Sequence, residues 1–157
     1  MFTRLDYCNS FRILFRLIFS LCHKYSLQRL QRIQNCLARL VKHLPRSSPT
    51  SSVIKELGWL RVDDRVIFKL LILTHKCIYG SSPQYLKHLL FPVFSRNVPF
   101  ALRSHNGVRL FCPISRSASV CKSFSFLAPR LWNSLPVHIR KERCLKTFSS
   151  QLKVHLL

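Results

Sequence analysis

The sequence predicts a mainly α, small irregular helical domain with a short β-hairpin in its C-terminal third. Three observations point that way. Apolar residues recur at helical spacing in several stretches, Gly and Pro fall at the ends of those stretches, and Pro and Asn-Gly punctuation gathers between residues 92 and 113. At 157 residues with 48% apolar content, the chain can build one core. It divides into an amphipathic N-terminal segment (1–25), a basic helical region (26–91), and a mixed loop and strand region ending in a helix (92–157).

The run FRILFRLIFSLC (11–22) is too short for a transmembrane helix, which needs about 20 mostly apolar residues. Arg12 and Arg16 interrupt it on one face, so it reads as an amphipathic helix that packs against another part of the protein. From Ser26, placed to cap, a helix is expected to carry Leu27, Leu30, Ile33, Leu37, Leu40, Val41 and Leu44 on one stripe and to end at Pro45. After a Ser- and Pro-rich turn, Val53, Ile54 and Leu57 form a short helix stopped by Gly58. Asp63 then reads as the N-cap of a longer helix, Asp64 as a partner of its dipole, and Val62 with Ile67 as a staple around the cap. Gly80 closes that helix, and Pro83 lies in the first turn of the next. Residues 108–113 and 119–126 read as strands that pair in a hairpin. Residues 128–141 form a helix-turn segment, and 144–157 a helix with Leu145, Phe148, Leu152 and Leu156 on one face.

Charge narrows the function. Twenty-six Lys and Arg against 5 Asp and Glu give a net +21, spread along the chain. A polyanion relieves such self-repulsion; RNA or DNA bound nonspecifically is the first candidate, an acidic membrane surface the second, and a merely solvated basic surface the bland alternative. The candidate phosphate contacts are Arg29, Arg32, Arg39 and Lys42 on the first basic helix, then Arg96, Arg103, Arg109, Arg116, Lys122, Arg130, Arg140 and Lys141. Phe94, Phe100, Phe111, Phe124 and Phe126 are interleaved with them and are either base-stacking platforms or core.

The residues offer no enzyme chemistry, cofactor or small-molecule substrate. Asp63-Asp64 resembles the paired carboxylates of two-metal sites, but such a site needs a further acid, and the other acids are Asp6, Glu56 and Glu142. There is no Gly-x-Ser-x-Gly elbow, and three glycines leave little room for a phosphate loop. Seven cysteines at wide spacings contain no Cys-x-x-Cys; Cys112 and Cys121 with His105 are too loosely spaced for zinc. Cys36 and Cys77 read as small hydrophobes on apolar faces, so reduced thiols and an intracellular setting, nuclear or cytoplasmic, are expected.

The segments TRLDYCNS (3–10), LQRLQRIQNCLARLV (27–41), LGWLRVDDRVIFKLLILTHKCIYGSSPQYLKHLL (57–90), LRS (102–104), SFSFLAPRLWNSLPVHIR (123–140) and FSSQLKVHLL (148–157) occur in this order. Together they closely resemble the C-terminal region of the reverse transcriptase (RNA-directed DNA polymerase) of LINE-type, non-LTR retrotransposons, over most of Thr3–Leu157. LQRIQN, LGWL and APRLWNSLP are the most telling pieces. The resemblance implies a truncated fragment whose endonuclease and catalytic palm lie upstream, inactive alone, with LRVDDRV matching a helix entry and not the catalytic motif. It also implies either binding of RNA or DNA by this tail or docking on the polymerase domains. Residues 11–25 depart from the family, which usually carries a Gly-Leu-Pro turn there; frameshift or decay of the element would produce this.

Overall fold

The computed structural model describes residues 24–80, 82–93, 108–114, 116–117, 120 and 123–157. Among them are seven helices: α1 (Lys24–Val41), α2 (Ser51–Glu56), α3 (Val62–Tyr79), α4 (Gln84–Lys87), α5 (Phe124–Ser134), α6 (Val137–Lys141) and α7 (Leu145–Leu156). The protein is mainly helical, as the periodicity predicts. Two compact units are present, Met1–Phe68 with Lys153–Leu157, and Lys69–Leu152.

In the first unit, α1 packs against α2 around Ala38, Val53 and Ile54, with Leu57 and Trp59 against that cluster. The buried face of α1 is therefore Leu27 and Ala38, with Gln31 and Gln34 half-buried beside them. Of the predicted stripe only Leu27 is buried: Leu30, Ile33, Leu37, Leu40, Val41 and Leu44 are all exposed. Cys36 is exposed as well, against the expectation that it packs. A small residue and two amides let α1 approach its neighbours closely, which a row of leucines would prevent.

Both helices of this unit end in Schellman turns. After α1, Leu44 N–H donates to Arg39 O (2.9 Å) and His43 N–H to Leu40 O (3.2 Å), with His43 at φ 50° in the left-handed region. After α2, Trp59 N–H donates to Ile54 O and Gly58 N–H to Lys55 O, each at 2.9 Å, and Gly58 has φ 62°. Gly58 thus stops α2 as predicted, whereas α1 closes on a histidine that bears a Cβ in a region that disfavours one. At its other end α1 already includes Lys24, so Ser26 lies within the helix and does not cap it.

The entry to α3 differs from expectation. Arg65 N–H donates to Arg61 O at 2.8 Å, the first bond of the helix, so Arg61 is the N-cap and Asp63 and Asp64 sit in the first turn. The staple positions become Leu60 and Arg65, which are not an apolar pair, so Val62 and Ile67 do not form one. The cap comes from α1 instead. Gln31 Oε1 accepts from Val62 N–H (3.0 Å), and Gln34 Nε2 donates to Leu60 O (2.8 Å). Gln31 Nε2 donates to Asn35 Oδ1 at 2.9 Å, which orients its amide.

In the second unit, the described core gathers Leu70, Leu71, Thr74, His75 and Cys77 with Leu86, Leu90, Leu110 and residues of α5, α6 and α7. Phe124, Ala128 and Trp132 lie at i, i+4, i+8 on α5, all buried, so 124–126 is helix and the predicted strand over 119–126 does not form there. Alternation of Phe124 and Phe126 looked like a strand face; both are instead buried on one wide helix face. Pro129 sits inside α5, removing one backbone bond, and is itself buried.

The predicted partner strand at 108–113 is reduced to one antiparallel bridge, Pro92 with Leu110. Phe111 N–H donates to Phe91 O (2.8 Å) and Val93 N–H to Arg109 O (3.0 Å). On its other edge this segment is held by side chains: Asn133 Oδ1 accepts from Leu110 N–H (3.1 Å), Asn133 Nδ2 donates to Leu110 O (2.8 Å), and Trp132 Nε1 donates to Val108 O (2.8 Å). The Trp-Asn pair of APRLWNSLP stands where a second strand would.

The short helix α6 ends on carbonyls that have no partner within the helix. Tyr79 Oη donates to Arg140 O (3.0 Å) and His75 Nε2 donates to Glu142 O (2.9 Å). His75 stacks on Phe148 (ring centroids 4.3 Å apart, 27° between planes), and Trp132 lies 5.7 Å from Phe148. One aromatic cluster therefore ties α3, α5 and α7 around the end of α6. Gly80, at φ 93°, closes α3 as predicted, and Pro83 is the residue before α4 and not within its first turn.

Candidate nucleic-acid interface

In the first unit, Arg29 and Arg32 are exposed on α1, one turn apart on the face away from Ala38. Arg39 is half-buried and its Nε donates to Ser48 O (3.2 Å), so it braces the turn after α1. Lys42 lies 3.3 Å from Glu56 Oε2, an exposed ion pair that salt screens readily. Arg46, Lys55, Arg61 and Lys153 are exposed too, although sequence reading did not single them out.

In the second unit, Arg109, Arg116, Arg130 and Lys141 are exposed. Arg130 lies over the ring of the buried Phe126, 4.1 Å from its centroid. Arg140 corrects the sequence reading. It is 4% exposed, its Nε donates to Leu135 O (3.0 Å), and its Nη1 is buried without a partner, so it cannot reach a phosphate. Burial, with the nearby Arg109 charge, pushes the Arg140 guanidinium below its usual range. Arg96, Arg103 and Lys122 lie outside the described residues, as do Phe94 and Phe100.

The aromatic partners also shift. Phe124 and Phe126 are core, and Phe111 is half-buried. Phe91 and Tyr85 are exposed instead. Because Pro92 pairs with the buried Leu110, alternation turns residues 91, 93, 109 and 111 toward the opposite face of the bridge. Exposed Phe91 and Arg109 therefore fall on the same face of the bridge, Phe91 opposite Phe111 and Arg109 opposite Val93, an aromatic ring and a cation set diagonally. The only hint in the sequence was that Leu110 alternates with Arg109 and Phe111.

Asp63 is exposed and Asp64 half-buried in the first turn of α3, where the dipole favours both charges. Among the described residues no three His, Cys, Asp or Glu side chains are grouped to hold a metal ion, and none of the helices is long and apolar enough to cross a membrane. The loose Cys112, Cys121 and His105 set falls partly outside the described residues.

Three groups are tuned by position. Burial lowers the His75 imidazole below 6.5, against the raising effects of the Glu142 carbonyl and charge. Cys144 is exposed at the start of α7, where N–H groups of Thr147 and Lys146 and the Thr147 hydroxyl lower its thiol. Cys77 is raised by burial.

The fold and these surfaces define a small, strongly basic, mainly helical protein with exposed Arg faces in both units. No protein-family model, curated protein or solved structure matches the chain.

Proposed function

We propose that this chain corresponds to the C-terminal region of a non-LTR retrotransposon reverse transcriptase and binds RNA or DNA nonspecifically through its basic surface, without catalysing polymerisation itself. The net +21 charge, displayed by exposed arginines in both units, is the observation that carries the reading. The ordered motifs support the ancestry, and their residues have backbone-holding roles: LQRIQN supplies Gln31 and Gln34, LGWL supplies the carbonyl that Gln34 holds, and APRLWNSLP supplies Trp132 and Asn133.

Fluorescence anisotropy with labelled single-stranded RNA and DNA across a salt series tests the binding. Affinity falls steeply with salt, log K dropping by about 0.7 per neutralised phosphate on single strands. Arg29→Gln with Arg32→Gln, and Arg109→Gln, each reduce that slope; Phe91→Ala weakens single-strand binding by about 1–3 kcal/mol if a base stacks there. Arg140→Met leaves the slope unchanged. Affinity that stays flat from low to moderate salt refutes the electrostatic reading. Primer extension by the purified chain with magnesium refutes the absence of catalysis.

A further inference from the structure

The largest run of exposed apolar residues among the described residues of the first unit is the leucine stripe of α1. Its members on the helix fall at 30, 33, 37 and 40, a 3-4-3 spacing, with Leu44 beyond the turn that ends α1. That is the a/d pattern of a coiled-coil seam, with Leu30 and Leu37 in one set and Ile33 and Leu40 in the other. All four are exposed, Ile33 by 57% and Leu40 by 70%. The seam extends about 15 Å along the helix at 1.5 Å per residue.

We infer that this seam docks an amphipathic helix of a partner protein whose flanks are acidic. Two observations select that occupant. One border of the seam carries Gln34, whose amide is held within the unit, with exposed Val41 beside it. The other border has Arg29 flanking the seam and Arg32 beyond it, with uncharged Cys36 between them, and α1 contains no acidic residue. A second copy of this chain brings the same cations against that border, so like charges oppose self-pairing. A helix carrying Glu or Asp beside its own a/d leucines satisfies both seam and border. This inference does not rest on nucleic-acid binding, although Arg29 and Arg32 serve both readings.

The test uses the full chain and two fluorescein-labelled 21-residue peptides with leucine at a and d, one with Glu and one with Lys at e and g. The acidic peptide binds saturably, at least tenfold more tightly than the basic one. Ile33→Ser with Leu37→Ser, both exposed, reduces that binding at least tenfold while the urea midpoint and RNA affinity stay unchanged. Arg29→Gln with Arg32→Gln weakens acidic-peptide binding and flattens its salt dependence. Equal binding of both peptides, no binding of the acidic one, or binding that survives the double serine variant overturns the inference. So does a concentration-dependent dimer in sedimentation velocity, or flotation with phosphatidylserine vesicles, that the double serine variant abolishes; the seam would then serve a second copy or a membrane. Loss of RNA binding in the arginine variants with seam binding intact would likewise overturn the role given to the cationic border.

Discussion

Asn133→Ala removes the side chain that stands in for a β-strand beside Leu110. The backbone N–H and C=O of Leu110 both end on the Asn133 amide, at 3.1 and 2.8 Å, and Leu110 is 1% exposed. Leaving a buried backbone group unsatisfied costs about 1–3 kcal/mol, so two such groups cost about 2–4 kcal/mol once partial access to water near half-buried Asn133 is allowed for. With a urea m-value of about 2 kcal/mol/M, the unfolding midpoint falls by about 1–2 M. Trp132 is fully buried next door and reports the transition once Trp59→Phe removes the other tryptophan. Asn133→Asp is the sharper probe. Its carboxylate still accepts from Leu110 N–H but faces the Leu110 carbonyl with no proton, so at neutral pH it is as destabilising as alanine. That repulsion raises the folded-state pKa of the new carboxyl above its unfolded value of about 3.9. Relative to the parent at the same pH, the variant therefore regains stability as pH falls through the folded value. An alanine variant within about 0.5 kcal/mol of the parent, or an aspartate variant with no recovery in acid, refutes the clasp.

Four further outcomes follow from local geometry. His75 has a folded pKa below 6.5, so the unfolded state binds its proton first; stability is full above 6.5, declines as pH falls toward the folded value, and declines less in His75→Phe, as urea midpoints at several pH values will show. Gln31→Ala frees Val62 N–H at the start of α3 and costs about 1 kcal/mol, the usual loss for a missing cap, with faster hydrogen exchange at Val62 as the local readout. His43→Gly relieves the left-handed φ of 50° and raises the thermal midpoint, by about 1 kcal/mol of stability, less the entropy glycine adds to the unfolded chain. Cys144, exposed with a lowered thiol, reacts with iodoacetamide faster than Cys77, which is buried and raised and becomes reactive only on unfolding.

Glycine positions were readable because they obey local rules. Gly58 and Gly80 take the positive φ that ends α2 and α3, and a chain with few glycines places them where nothing else fits well. Helical periodicity likewise located α1, α3 and α7. Periodicity did not reveal which face packs: of the α1 stripe only Leu27 is buried, and Ala38 with two glutamine amides makes the contact, because closeness to α2 and to the α3 entry required a small residue and backbone partners. The strand reading of 119–126 failed where two phenylalanines at i, i+2 both found the interior of a wide helix face. At the candidate interface, charge count exposed the tendency but not the membership: Arg140 resembles its neighbours in sequence yet is buried with its Nε on Leu135 O, while Phe91 is a surface aromatic next to the Pro92–Leu110 bridge.

The sequence by itself determined most of the helices, the glycine ends of α2 and α3 and the excess of positive charge, since each depends on residues near one another in the chain or on a simple sum. Tertiary structure alone decided that Gln31 caps α3 in place of Asp63, that Asn133 replaces a strand, and that Arg140 is inside while a leucine seam is outside. Those outcomes depend on which backbone groups of distant segments are left without partners, and folding satisfies them with whatever polar side chain the packing brings within reach.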